Sequence, residues 1–174
     1  MARINAGRIQ LSENFFLDEF TRSETAARLG LDNSVQPDGE VFANLRLLCV
    51  EVLQPLRDAL GPVLVTSGYR SPTLNRLIGG SLASQHCLGC AADIVVPRFS
   101  PLYVAHWFDE NVLIAYDQLI HEFGEWVHVS IAAPNSKVRR QSLTAFKKPN
   151  TPFGAKTVYK PGLMSIEEAK GEEA

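Results

Sequence analysis

Apolar residues recur along this chain at two periods, and the change between them divides it. Over residues 17–29, LDEFTRSETAARL places apolar positions at helical spacing, with Asp18 or Thr21 available as a cap and Gly30 as a stop. Residues 31–40 are a turn-rich connector. Val41, Leu45, Leu48, Val52, Leu56 and Leu60 then recur every three or four positions. That spacing predicts a long amphipathic helix, kinked at Pro55 and ended by Gly61-Pro62. Beyond it the period shortens. Val63–Thr66 and Ala91–Val96 read as buried strands. Ser100-Pro101 opens a helix to about residue 110. Residues 118–123 and 126–132 flank Gly124-Glu125 as a hairpin, and a last strand is expected over 141–146.

Helices first, then strands joined partly by hairpins, predict an α+β fold with an antiparallel-rich sheet rather than a doubly wound parallel one. The expected organisation is an irregular segment over 1–16, one domain over 17–146, and a C-terminal tail over 147–174 whose acidic end after Gly162 frays. The 174 residues are 45% apolar and 21% charged, an ordinary globular balance. A net charge of −2 gives no basic patch for nucleic acid, and no apolar run reaches a membrane span. The N-terminal residues have no apolar stretch of signal-peptide type, so synthesis in the cytoplasm is expected.

Candidate chemistry gathers in two places. The stretch SGYRSPTLNRLIGGSLASQHCLGCAAD holds His86 and, seven residues on, Asp93. The stretch EWVHVS holds His128, with Glu125 three residues before it. Taken singly, each has an ordinary explanation: His128 facing solvent, Asp93 capping a turn. Together, two imidazoles and a carboxylate are the ligand set of a catalytic zinc site, and the spare Glu125 is a proton acceptor. A carboxylate inside AADIVV is costly to bury unpaired, which favours a partner. Cys87 and Cys90 form a C-x-x-C without a second ligand pair, so they read as turn filler. His121 and His106 read as surface or packing residues, Trp107 and Phe108 as core, and Asn75 as a brace for the turn after Arg70.

The run SGYRS…N…GG…SQH…G-x-AAD followed by EWVHVS resembles the zinc D-Ala-D-Ala carboxypeptidase family over about residues 11–131. That family includes D-Ala-D-Ala dipeptidases and phage L-Ala-D-Glu endolysins and shares its fold with the Hedgehog signalling domain. The resemblance implies one zinc ion on His86, Asp93 and His128, Glu125 as the catalytic carboxylate, Arg70 as the group meeting the substrate carbonyl or oxyanion, and Ser84 as a substrate-binding position. Tyr69 and Gln85 are weaker substrate candidates: Tyr69 has an equally good packing role, and the alternative for Gln85 is contact with the loop backbone alone. Some carboxypeptidases carry a histidine two positions before the last ligand; Trp126 stands there here. The tail RRQSLTAFKK…KTVYKPGL looks like bacteriophage and prophage members.

The expectation is therefore a zinc peptidase acting on peptidoglycan stem peptides, made without a signal peptide and acting on the cell wall as a phage endolysin or within a virion. Phage tail or virion proteins are the expected protein partners; nucleic acid and membrane are not expected. A competing reading is a structural virion or binding domain that keeps the fold with little turnover. Intact Glu125 and Arg70 speak against it, because a binding domain has no chemical need of them.

Overall fold

A computed structural model gives the architecture, and it describes residues 3–5, 7–151 and 154–171. The N-terminal segment is a short hairpin, β1 (Arg3–Asn5) and β2 (Arg8–Gln10), rather than irregular chain. Arg8 ties it to the first helix through Asp18 at 2.7 Å. The helix expected over 17–29 is two helices, α1 (Leu17–Thr21) and α2 (Glu24–Leu29). Ser23 breaks the run by capping the second, its side chain accepting from Ala26 N–H.

The long helix is present as α3 (Glu40–Leu48), a π turn (Cys49–Leu53) and α4 (Gln54–Leu60). Pro55 explains the π turn. It offers no N–H to the preceding turn and its ring crowds the carbonyl there, so the backbone widens instead of breaking. Leu45, Leu48, Cys49, Val52, Leu53 and Leu56 are all fully buried. Next come β3 (Leu64–Ser67), α5 (Pro72–Leu77), a 3-10 turn (Gln85–Leu88) and β4 (Ala91–Val95). Helix α6 (Pro101–Glu110) begins as expected, with the Ser100 side chain accepting from Tyr103 N–H at 3.2 Å. A cap of this kind contributes about 1 kcal/mol.

Strands β5 (Gln118–Glu122), β6 (Trp126–Ser130), β7 (Gln141–Thr151) and β8 (Gly154–Pro161) complete a six-stranded sheet in the order β3-β4-β6-β5-β7-β8. Every pairing is antiparallel except β5 with β7. The fold is therefore mixed α+β with a mostly antiparallel sheet. The boundary expected at residue 146 falls inside β7, and β8 extends the sheet beyond it. A last helix, α7 (Ile166–Gly171), follows; the acidic end over 172–174 lies outside the described residues.

Strand alternation gives the sheet two unlike faces. Ile94, Leu119, Val127 and Val129 join the helices' Leu45, Leu48, Leu53, Val104 and Phe108 in one apolar core. His121 is buried on this side, its Nδ1 bonded to Met164 O at 2.9 Å, so it is a packing residue. The opposite face carries the polar side chains.

Candidate metal centre

Register builds the site. One row across the sheet pairs Ser67 with Asp93, Asp93 with His128, and His128 with Ile120. The parallel row pairs Trp126 with Glu122, Glu122 with Ala145, and Ala145 with Tyr159. His86 comes from the 3-10 turn, above the strands. Its Nδ1 lies 2.7 Å from Gly68 O. Donating that N–H to a carbonyl turns the Nε2 lone pair into the site. The carbonyl is fixed in turn, because Gly68 packs directly on α1: a Cβ there would lie 2.6 Å from Phe20 Cα. Tyr69 N–H donates to Phe20 O at 2.8 Å, and the buried Asn33 side chain bonds Thr21 O, Tyr69 O and Ser71 N–H. A connector that reads as mere turns thus anchors the loop behind the histidine.

Three acceptor atoms converge. His86 Nε2 lies 3.2 Å from His128 Nδ1 and 3.2 Å from Asp93 Oδ1, and His128 Nδ1 lies 3.0 Å from Asp93 Oδ1. All three residues are buried, and among the described residues they are the one His/Cys/Asp/Glu group arranged to hold a metal ion. Ligands about 2.0 Å from a tetrahedral ion stand about 3.3 Å apart, so two nitrogens and an oxygen at these spacings fit zinc. Arg70 completes the second sphere: Nη2 donates to Asp93 Oδ2 at 2.5 Å and Nε to Ser67 Oγ at 2.9 Å. Asp93 therefore shows Oδ2 to the guanidinium and Oδ1 to the imidazoles. Burial disfavours its charge, yet the two imidazoles outweigh that and hold its carboxyl far below the usual range.

A cavity of about 530 Å³ opens on this group. Ser84, Gln85, Glu122, Trp126, Arg139 and Tyr159 line it. Tyr69 instead faces a neighbouring cavity of about 710 Å³ that shares Arg70 with the first but holds none of the three convergent ligands. The larger space is therefore not the chemical one. Asn75, expected to brace the turn after Arg70, is buried and bonds Ser81 O, holding the Gly79–Ser81 rim of the smaller cavity.

Glu125 does not stand with the ligands. It is exposed in the turn between β5 and β6, outside the residues lining the cavity. Parity explains this: a residue three positions before His128 on a strand belongs to the opposite face. Glu122, directly across from Trp126, has the parity that Glu125 lacks. Trp126 Nε1 donates to Glu122 Oε2 at 3.1 Å. Burial raises the Glu122 carboxyl above the ordinary range, and the nearby Asp93 charge raises it further. Trp126, which breaks the carboxypeptidase pattern, thus holds a carboxylate that lines the same cavity as the ligands.

A family model described as peptidase M15 matches residues 13–130. The chain belongs to the peptidase M15 family. No curated protein sequence matches it closely enough to add to this. As an M15 member it is a zinc metallopeptidase, and the buried His86–Asp93–His128 group is where one ion fits. The cysteines take no part in that group: all three are free, Cys49 and Cys90 are buried, and burial lifts the Cys90 thiol to about 11. Arg139 and Tyr159 lie beyond the segment the M15 family model covers, yet they line the M15 cavity. The sequence signal for Tyr159 is slight, an alternation in AKTVYK on a strand that is largely exposed.

Proposed function

We propose that this protein hydrolyses peptide bonds in the stem peptides of peptidoglycan, with Glu122 as its general base. The observation that carries the proposal is the convergence of His86, Asp93 and His128 within 3.2 Å in a cavity that Glu122 also lines. Zinc held by these residues would polarise the scissile carbonyl and acidify water. Glu122 takes a proton from the attacking water, whose oxygen adds to the carbonyl carbon; as the C–N bond breaks, the same carboxyl delivers that proton to the departing amine. A carboxyl raised by burial is suited to both halves of this transfer. Trp126 fixes its direction.

Arg70 has a double task in this reading. Nε and Nη2 are spent on Ser67 and Asp93, which orients the ligand. Nη1 is left for the substrate carbonyl as negative charge develops on its oxygen, a donor role whose loss costs about 10²–10³ in rate. Ser84 and Gln85 border the substrate path.

The biological setting that best suits the chain is a phage-encoded endolysin or a virion-associated cell-wall hydrolase. It rests on the resemblance of the RRQSLTAFKK tail to phage members. The bond cut is a D-Ala-D-Ala, an L-Ala-D-Glu or a cross-bridge bond.

Purified peptidoglycan incubated with the zinc-loaded protein should release new amines, a chelator should stop this, and Glu122→Gln should abolish it while keeping zinc. Mass spectrometry of the released muropeptides names the bond. If the wild type releases no amines, or Glu122→Gln cuts as fast as wild type, the proposal is wrong.

A further inference from the structure

Arg139 lines the same cavity as Arg70 and has no part in the chemistry above. Its Nε and Nη2 bond the Asp117 carboxylate at 3.0 and 2.6 Å, and Nη2 also donates to Gln85 Oε1 at 3.1 Å. Asp117 is buried and fully engaged, with Oδ1 also accepting Arg139 N–H and Oδ2 also accepting from Gln85. Burial works to raise its carboxyl, but these donors hold it below the ordinary range.

The pair is lopsided. The Asp117 side chain is 4% exposed and that of Arg139 is 49% exposed. The negative end points into the protein and the positive end into the cavity. Nη1 of Arg139, with two N–H groups, has no acceptor among the described residues. The adjacent Arg140 is used differently: both its Nη atoms donate to backbone carbonyls, of Ile114 and Asp109, and its guanidinium lies over the Tyr116 ring. A left-handed φ of 46° at Arg140 parts the two side chains. Neutralising Asp117 needs only two nitrogens of Arg139. The third is held rigidly at the cavity wall by a fork that can no longer turn away.

We propose that Arg139 Nη1 binds a carboxylate of the peptide substrate, making the Asp117–Arg139–Gln85 cluster a specificity subsite. This rests on the peptidase reading above. A fixed guanidinium prefers a carboxylate to the corresponding carboxamide through a charge-assisted hydrogen bond. Gln85 directly precedes the ligand His86, which places the subsite beside the metal centre rather than remote from it.

The test uses the full-length, zinc-loaded protein and the stem peptide it cuts fastest, prepared with each carboxylate in turn replaced by a carboxamide. For one position the wild type should lose about 10- to 100-fold in kcat/KM on amidation, chiefly through KM. Asp117→Asn/Arg139→Gln removes both charges without leaving either buried alone. It should cut the acid and the amide at similar rates while keeping its zinc and the wild-type kcat within about threefold. Arg139→Lys, which keeps the charge but not the fork, should fall between. Calorimetric titration with the acid and amide products should repeat the same preference without turnover. The subsite is overturned if wild type does not discriminate at any position, or if the double variant, folded by its thermal transition, discriminates as wild type does. If the wild type cuts no stem peptide, the peptidase reading falls and takes this proposal with it.

Discussion

The cavity has two unlike walls. The inner wall, β4 and β6 with the 3-10 turn, carries His86, Asp93 and His128 within the segment that matches the M15 family. The outer wall, the approach to β7 and the strand β8, carries Arg139 and Tyr159 beyond that segment. On the inner wall the polar groups are buried and committed to one another. On the outer wall Arg139 and Tyr159 are half exposed, and Arg139 keeps a donor unspent. The contrast teaches a separation of duties: buried side chains on central strands hold the reacting centre, and half-exposed ones on the flank meet whatever is brought to it.

Variants should separate the walls. The largest effect is expected for Asp93→Ala, which removes a ligand and leaves Arg70 without its carboxylate. Metal analysis after dialysis should show loss of stoichiometric zinc and no measurable hydrolysis; retained zinc would mean that the ion sits elsewhere. Glu122→Gln should lower kcat by about 10²–10⁴ with zinc retained, whereas Glu125→Gln should stay within about twofold of wild type. The reverse ranking would return the base to the turn. On the outer wall, Tyr159→Phe should change KM by only about two- to fivefold and leave kcat alone, as expected for one hydrogen bond to a neutral group. A collapse of kcat would move Tyr159 to the inner wall in function.

The smallest effect is on stability. Asp117 has a folded-state pKa below its unfolded value, so its contribution is present above about pH 4 and is lost as pH falls through the folded value. The difference in melting temperature between wild type and Asp117→Asn/Arg139→Gln should therefore be constant near neutrality and shrink below about pH 4. A difference unchanged down to pH 2 would show that the pair is not held as described.

The two strands carrying Asp93 and His128, the long helix and the capped α6 were all legible, because each is written in local periodicity and punctuation. The placement of Glu122 in the cavity was not. A turn over Gly124-Glu125 predicts that Phe123 faces Trp126, but the actual turn begins at Phe123, whose φ is 58°. An aromatic residue in the left-handed region is uncommon, and nothing local announces it. Its N–H donates to Ala145 O on β7, and its ring packs edge-on against Trp126 at 5.3 Å. The one-residue difference in register brings Glu122, not Phe123, opposite Trp126 and onto the ligand face. The parallel placement of β7 beside β5 was equally hidden, since strand order depends on packing partners distant in sequence.

The ligands come from three elements, with 42 residues separating His86 from His128. An ion held there joins the 3-10 turn, β4 and β6 in one knot, tying off two loops of chain at once. Cys49, Cys87 and Cys90 are free thiols, so the metal would take the part that a disulfide plays elsewhere, but one that can be undone by a chelator. Binding to the folded chain alone would add about 1.4 kcal/mol to stability for each tenfold excess of free zinc over its dissociation constant. Zinc availability would thereby set how long the molecule survives as well as whether it is active.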